Sequence, residues 1–252
     1  MAIILKCINK IRTIFQQDGL CGIYRRIWTK VLRILKARYE EGVSRQKSSY
    51  SLDSDIYNTQ LISRINLKAL KGLNLKECIP QTVSKHYLDH RFDLLGSGWT
   101  QVRYGIQCRG LEGYCYDKTK GVITDLEGKW LKGRLNSANL PIAQKIWKRV
   151  DENYIPIDWQ LDFKSGYRWS ERIWASRILY DRQPGADIKV PWELSRMQHL
   201  PQLALRASVL GKNDKEALRL AREIRNQWLD FIATNPPGFG VNWACPMDIA
   251  IR

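Results

Sequence analysis

The stretch that decides the fold is residues 187–252, "DIKVPWELSRMQHLPQLALRASVLGKNDKEALRLAREIRNQWLDFIATNPPGFGVNWACPMDIAIR". It reads as helices joined by short polar or Gly/Pro-rich connections. Pro191 falls near the first turn of the opening helix, where a missing N–H costs little. Pro201 is expected to break or kink that helix near His199. The pattern resumes and runs to Gly211, a C-terminal signal. Asn213 and Glu216 then stand in the N-x-x-E spacing of a helix cap. The helix over 214–234 is expected to bury Leu218, Ala221, Ile224, Trp228 and Phe231 or Ile232, and "NPPG" stops it. Asn242 is expected to cap a third helix with Trp243, Met247 and Ala250 or Ile251 on one face. Helices in succession with no strand between them imply antiparallel helical stacking.

Upstream the character changes. Val102, Tyr104, Ile106 and Cys108 alternate at period two, which predicts a strand, and glycines at 105, 110, 113, 121 and 128 break the region into short segments. A small β-hairpin element is therefore expected within 99–132. Residues 151–174 are crowded with aromatic side chains, have poor periodicity and read as irregular, well-packed chain. Residues 42–60 are polar and Ser-rich and read as a linker. Before them, 3–15 and 23–39 each pair an apolar stripe with a basic face and read as amphipathic helices. The expected organisation is basic helices over 1–41, a linker over 42–60, a mixed lead-in region over 61–186 and stacked helices over 187–252.

The chain has 252 residues, 44% of them apolar, enough for a sizeable core. Its formal charge of +16 favours polyanionic partners. Half of that excess lies in residues 1–38, where nine basic residues face Asp18 alone. That face either lies on an anionic membrane surface or stays in water on a packed helical hairpin. No nucleic-acid motif accompanies the charge, so no specific nucleic acid is expected. The six cysteines form no CxxC pair and no Cys/His cluster, so free thiols are expected and no metal site. No apolar run reaches the length of a secretory signal or a membrane span. A cytoplasmic or inner-membrane peripheral location is favoured by that reading.

Chemistry-bearing constellations are few. His86 and His90 lie four apart in "KHYLDH", with too few partners for a metal. Glu193, Arg196 and His199 form a polar row at three-residue spacing. Such a row can grip a carboxylated sugar through the forked guanidinium, or serve as a structural ion pair beside a core-edge histidine. Asp158 and Asp162 read as turn-formers before paired acids. No GxGxxG, GxxxxGK[ST] or GxSxG motif is present, and no cofactor is expected.

Three segments together resemble the heparinase II/III family of bacterial polysaccharide lyases. They are "K-x-x-W-E-x-x-R-x-x-H-L" from Lys189, "NPP-x-x-G-x-N-W" from Asn235 and "M-D-x-A-x-R" from Met247, supported by "HRFDLLGSGW" and "PIDWQLDFKSGYRW". The resemblance covers about residues 90–252. It implies a mainly α fold, the start of an incomplete (α/α) toroid of helical hairpins, preceded by the small β-hairpin element and the basic N-terminal helices. It implies carbohydrate binding and β-elimination at uronic acids of an acidic polysaccharide, in a family that acts mostly outside the cytoplasm. Lys189, Trp192, Glu193, Arg196, His199, Asn242 and Trp243 match its motifs and are expected to line one wall of a substrate groove. The family's catalytic Asn-His pair and Tyr fall further along the toroid, so no catalytic residue is assigned. The chain is expected to be an N-terminal fragment, inactive alone. The alternative is a non-catalytic module that binds acidic polysaccharide or a membrane surface.

Overall fold

The computed structural model describes residues 24–25, 27–50, 80–179, 183–210 and 213–252. The chain divides into two units, Met1–Gln46 and Lys47–Arg252. In the first, helix α1 occupies residues 27–46, with Tyr24 and Arg25 also helical. The helix expected to end at 39 thus continues through residues assigned to the linker. Arg45 pairs with Glu41 (2.8 Å) and Lys36 with Glu40 (3.8 Å) one turn away, which supports those last turns. The helix expected over 3–15 and residues 51–60 of the linker lie outside the described residues.

The second unit is mainly helical. Helix α2 is Gln81–Leu88, and strands β1 (Arg91–Phe92) and β2 (Thr100–Gln101) form a two-stranded antiparallel sheet, with Arg91 opposite Gln101 and Phe92 opposite Thr100. Then come α3 (Leu140–Trp147), α4 (Lys189–Ser195), α5 (His199–Leu210), α6 (Lys215–Thr234) and α7 (Pro246–Ile251). Of the hairpin element expected within 99–132, β2 lies in that span with its partner strand upstream of it, and Leu111 and Tyr114 form an isolated antiparallel bridge inside it. Val102, Tyr104 and Cys108 are buried and Ile106 half-buried, so the alternation is real. Gly105 nevertheless takes a left-handed φ of 76°, and a Cβ there would lie 2.7 Å from the Gly121 backbone. The chain beyond β2 therefore packs against its own loop instead of pairing as a strand.

Helix α6 organises the unit, packing along α5 on one side and α3 on the other. Asp214, not Asn213, caps it, accepting from the N–H groups of Glu216 (2.7 Å) and Ala217 (3.0 Å). Its inner face is the expected one only in part: Phe231 is buried and Ile224 and Ile232 pack against the core. Ala217, Leu220, Gln227, Asp230, Phe231 and Thr234 are buried, whereas Leu218 and Trp228 are exposed. Polar side chains occupy the inner stripe because each finds partners there. Asp230 Oδ2 accepts from the Ile157 N–H (2.9 Å), the Trp159 indole (3.1 Å) and the Tyr154 hydroxyl (3.2 Å). That one oxygen pins the 154–159 segment against α6.

Around this anchor Phe92, Val102, Ile157, Trp159, Phe163, Leu194, Leu203 and Phe231 share one core. A second cluster gathers Leu131, Trp147, Tyr154 and Ala233. Asp162 proves to be a turn-former, accepting from the Lys164 N–H (3.0 Å) and the Ser165 N–H (3.3 Å). Arg168 holds the same region by bridging Asp158 (2.8 Å) and Glu171 (2.7 Å). The chain after α1 is anchored too: Ser49 donates to Asn139 Oδ1 (2.7 Å) and Tyr50 to the Ile232 carbonyl (2.7 Å). No described helix is long and apolar enough to cross a membrane.

Burial pushes the Asp230 carboxyl up from 3.8 to about 8, against the lowering effect of its donors. The folded chain keeps a proton that the unfolded chain releases above its ordinary value. Stability from this group is therefore full below that value and lost as the pH rises toward 8. Asp230→Asn is neutral throughout and abolishes this dependence. In denaturation titrations the wild type is expected to lose on the order of 1 kcal/mol per pH unit relative to the variant between about pH 5 and 8. A constant difference between the two would contradict the assignment.

Candidate functional site

The residues singled out by the family-like motifs divide into two structural groups, with Lys189 outside both. Lys189 opens α4 with its side chain exposed. Arg196 closes α4 and joins two carboxylates, pairing with Glu193 one turn back and with Asp248 of α7 (2.6 Å). Asp248 is fully buried, while Met247, Ile249 and Ile251 of the same helix are exposed. Helix α7 is thus docked by a carboxylate, where an apolar face was expected. Arg252 continues the link, donating to the Ser195 carbonyl (2.8 Å) and the Asn242 carbonyl (3.0 Å). Trp192 joins the same wall through its indole, which donates to the Val241 carbonyl (2.8 Å).

Asn242 lies in a 3-10 turn, Val241–Trp243, and is fully buried. It caps no helix. Its amide donates to the Trp159 carbonyl (2.9 Å) and to Asn235 Oδ1 (2.8 Å). Gln160 donates to the same Asn235 oxygen (2.7 Å) and accepts from the Val241 N–H (2.9 Å). The Trp243 indole donates to the Asn235 carbonyl (3.1 Å). The pattern N-P-P-x-x-G-x-N-W therefore encodes an amide knot. Its glycine is required: Gly240 has a φ of 81°, and a Cβ there would stand 2.5 Å from the Gln160 amide nitrogen.

His199 turns the other way. It is buried between the rings of Phe92 (4.9 Å) and Tyr87 (5.4 Å), and burial lowers its pKa to about 4. The neutral ring donates from Nε2 to Gln227 Oε1 (2.6 Å), since the Gln227 amide nitrogen donates to Glu223 Oε1 (2.8 Å). His90 Nε2 meets that same Glu223 oxygen at 2.7 Å. Two imidazoles are thus joined through Gln227 and Glu223. His90 holds a φ of 51° to reach this position, an uncommon conformation for a non-glycine residue.

Trp243 lines a mostly apolar cavity of about 250 Å³ together with Trp228, Phe231, Asn235 and Arg252; the cationic concavity lies elsewhere. A groove of about 580 Å³ runs along the chain between β2 and Leu111, with Phe163 and Lys164 behind it. Among the described residues Arg103, Arg109 and Lys164 line it and no carboxylate does. Lys164 Nζ is steered there by the Leu95 carbonyl (2.8 Å). Trp99 supplies an aromatic wall, held by a stacked His86 ring at 4.1 Å. A smaller cavity of about 220 Å³ shares Gln101 and Arg103 with the groove and is lined also by His90, Tyr154 and Glu223. The arrangement can hold an anionic, hydroxyl-rich chain: guanidinium forks for carboxylates or sulfates, amide side chains for hydroxyls, an indole for a sugar face. Among the described residues no group of three His, Cys, Asp or Glu side chains is placed to hold a metal ion.

Sequence reasoning named neither Arg103, Arg109, Lys164 nor Trp99. A signal was present: if Val102, Tyr104, Ile106 and Cys108 point inward, the odd positions carry Gln101, Arg103, Gln107 and Arg109 outward. No family model, curated protein or solved structure matches the chain.

Arg196 provides a direct check on the wall. Arg196→Ala leaves Asp248 buried without its cation and is expected to cost about 3–5 kcal/mol in urea unfolding. Lys189→Ala, at an exposed position, is expected to stay within about 0.5 kcal/mol of wild type. Equal, small effects of both would show that Arg196 is not a structural tie.

Proposed function

We propose that this chain binds an acidic, uronate-containing polysaccharide along the groove lined by Arg103, Arg109 and Lys164, as part of a heparinase II/III-like protein. In this reading helices α4 to α7 are the opening hairpins of an (α/α) toroid. The single observation that carries the binding role is the groove itself: three cations and an aromatic wall, with no carboxylate among its described lining residues. Val190 and Leu194 of α4 share a core with Phe163 of the groove, and the motif-bearing residues fix α4, α7 and the 241–243 turn to one another. Of these, Lys189 is the side chain most open to a passing polymer.

The chain binds without performing β-elimination. That reaction needs a base at the C5 proton and a donor at the leaving oxygen. Tyr154 and His90 border the smaller cavity, but both are engaged. The Tyr154 hydroxyl donates to Asp230 (3.2 Å), and burial raises its pKa well above the usual value. His90 Nε2 is held by Glu223.

Calorimetric titration with oligogalacturonate or heparin oligosaccharides tests this. Binding is expected to weaken with added salt and to be absent with neutral dextran. Arg103→Ala and Arg109→Ala are each expected to lower affinity about tenfold, the worth of one charge-assisted contact at a partly wet site. No ultraviolet absorbance from unsaturated uronate is expected to develop. Binding that survives the double substitution, or that is equal for dextran, would remove the groove from the proposal; product formation would remove the claim of inactivity.

A further inference from the structure

Helix α1 belongs to the other unit and carries a surface the groove does not use. Tyr24, Ile27, Trp28, Val31, Leu32, Ile34, Leu35, Tyr39 and Val43 are all exposed large apolar residues. Tyr24 is 68% exposed, Leu35 55% and Tyr39 74%, on a helix that water should strip of such side chains. At about 100° per residue these positions fall within roughly half of the helix circumference, an arc that Arg38 and Arg45 interrupt toward its Ile27 and Ile34 edge. Lys30 and Arg33 lie opposite the arc, while Arg25 and Lys36 flank one border. Trp28 and Tyr24 stack with their rings 6.2 Å apart, forming an aromatic pair on the arc.

We propose that α1 lies in the plane of an anionic lipid bilayer, its apolar arc sunk into the headgroup–acyl boundary, its border cations Arg25 and Lys36 on the lipid phosphates and Lys30 and Arg33 drawn by the negative surface potential. The arc is too broad for a two-helix seam, which uses a narrow stripe. A second copy of α1 would cover the arc but leave Lys30 and Arg33, on the opposite face, without counter-charge. Nucleic acid would satisfy the cations and leave the apolar arc in water. An anionic membrane surface satisfies both faces together: apolar burial and charge attraction add. Long Arg and Lys stems at the borders reach outward to the phosphates while their methylenes stay in the apolar layer. The aromatic pair suits the same depth, where an amphipathic ring meets both media.

Vesicle sedimentation of the full chain tests this, using phosphatidylcholine vesicles with and without phosphatidylglycerol. Binding is expected on the phosphatidylglycerol vesicles and is expected to fall with salt. Neutralising Lys30 and Arg33 to Gln is expected to weaken it about fivefold per charge. Ile27→Ser with Leu35→Ser, at exposed positions that leave the core intact, is expected to weaken it at least about tenfold. Brominated acyl chains are expected to quench a tryptophan signal that is missing in Trp28→Phe, which reports insertion directly. Arg103→Ala with Arg109→Ala is expected to leave vesicle binding unchanged. Equal binding to both vesicle types overturns the proposal, as does quenching that persists in Trp28→Phe. A lipid-free dimer dispersed by Leu35→Ser, without vesicle binding, overturns it in favour of self-association. Duplex DNA binding that needs Lys30 and Arg33 but not Leu35, without vesicle binding, overturns it in favour of nucleic acid.

Discussion

Buried polar groups, more than apolar ones, fix how the second unit is assembled. Asp230 takes three donors from residues 154–159 on one oxygen, and Asn235, one residue past the end of the same helix, takes two side-chain amides on another. Apolar contacts are non-directional and tolerate sliding. Amide and carboxyl contacts in a dry interior do not, because a lost partner leaves a desolvated group. Helix α6 therefore has one register against the 154–169 segment. The 241–243 turn follows from that register, and α4 follows through Trp192. Arg196 and Asp248 then seat α7. The order of dependence runs from a few hydrogen bonds outward to the whole C-terminal wall.

That dependence explains which parts of the fold were legible in the sequence. Helices near 191–210 and 214–234 were, because proline, glycine and periodicity mark their limits. The inner face of α6 was legible only in part, through Phe231, Ile224 and Ile232. A rule that sends apolar residues inward selects Leu218 and Trp228, both exposed, and passes over Gln227 and Asp230, both buried. The same failure explains α7, where Asp248 is the docked residue and Met247 is not. Asn242 resembled a cap because asparagine at a helix start usually is one; its true partners lie 7 and 83 positions away, beyond any local rule. The strand reading erred differently: alternation of burial at 102–108 is present, but Gly105 turns the chain away from a partner.

For the candidate site the lesson concerns motifs. The residues that make the chain resemble a polysaccharide lyase mostly carry structure. Trp192, Arg196, Asn242 and Trp243 are held by partners within the unit, and His199 is neutral and buried between aromatic rings. A motif of such residues specifies where helices meet. The proposed ligand contacts lie instead on the irregular chain after β2, which is tied back by isolated backbone pairs such as Leu111 with Tyr114 and Gly110 with Lys164. The groove and α4 share a core: Phe163, which lines the groove, packs in the same cluster as Val190 and Leu194.

Hydrogen–deuterium exchange with and without a uronic acid oligosaccharide separates the two roles within one experiment. If the groove is the binding surface and the motif residues are its support, slowed exchange is expected over residues 96–111 and at 163–164, with little change at 189–199 and 241–248. Protection concentrated at 189–199 and 241–248, with 96–111 unaffected, would contradict that division and return the motif residues to direct contact with the polymer.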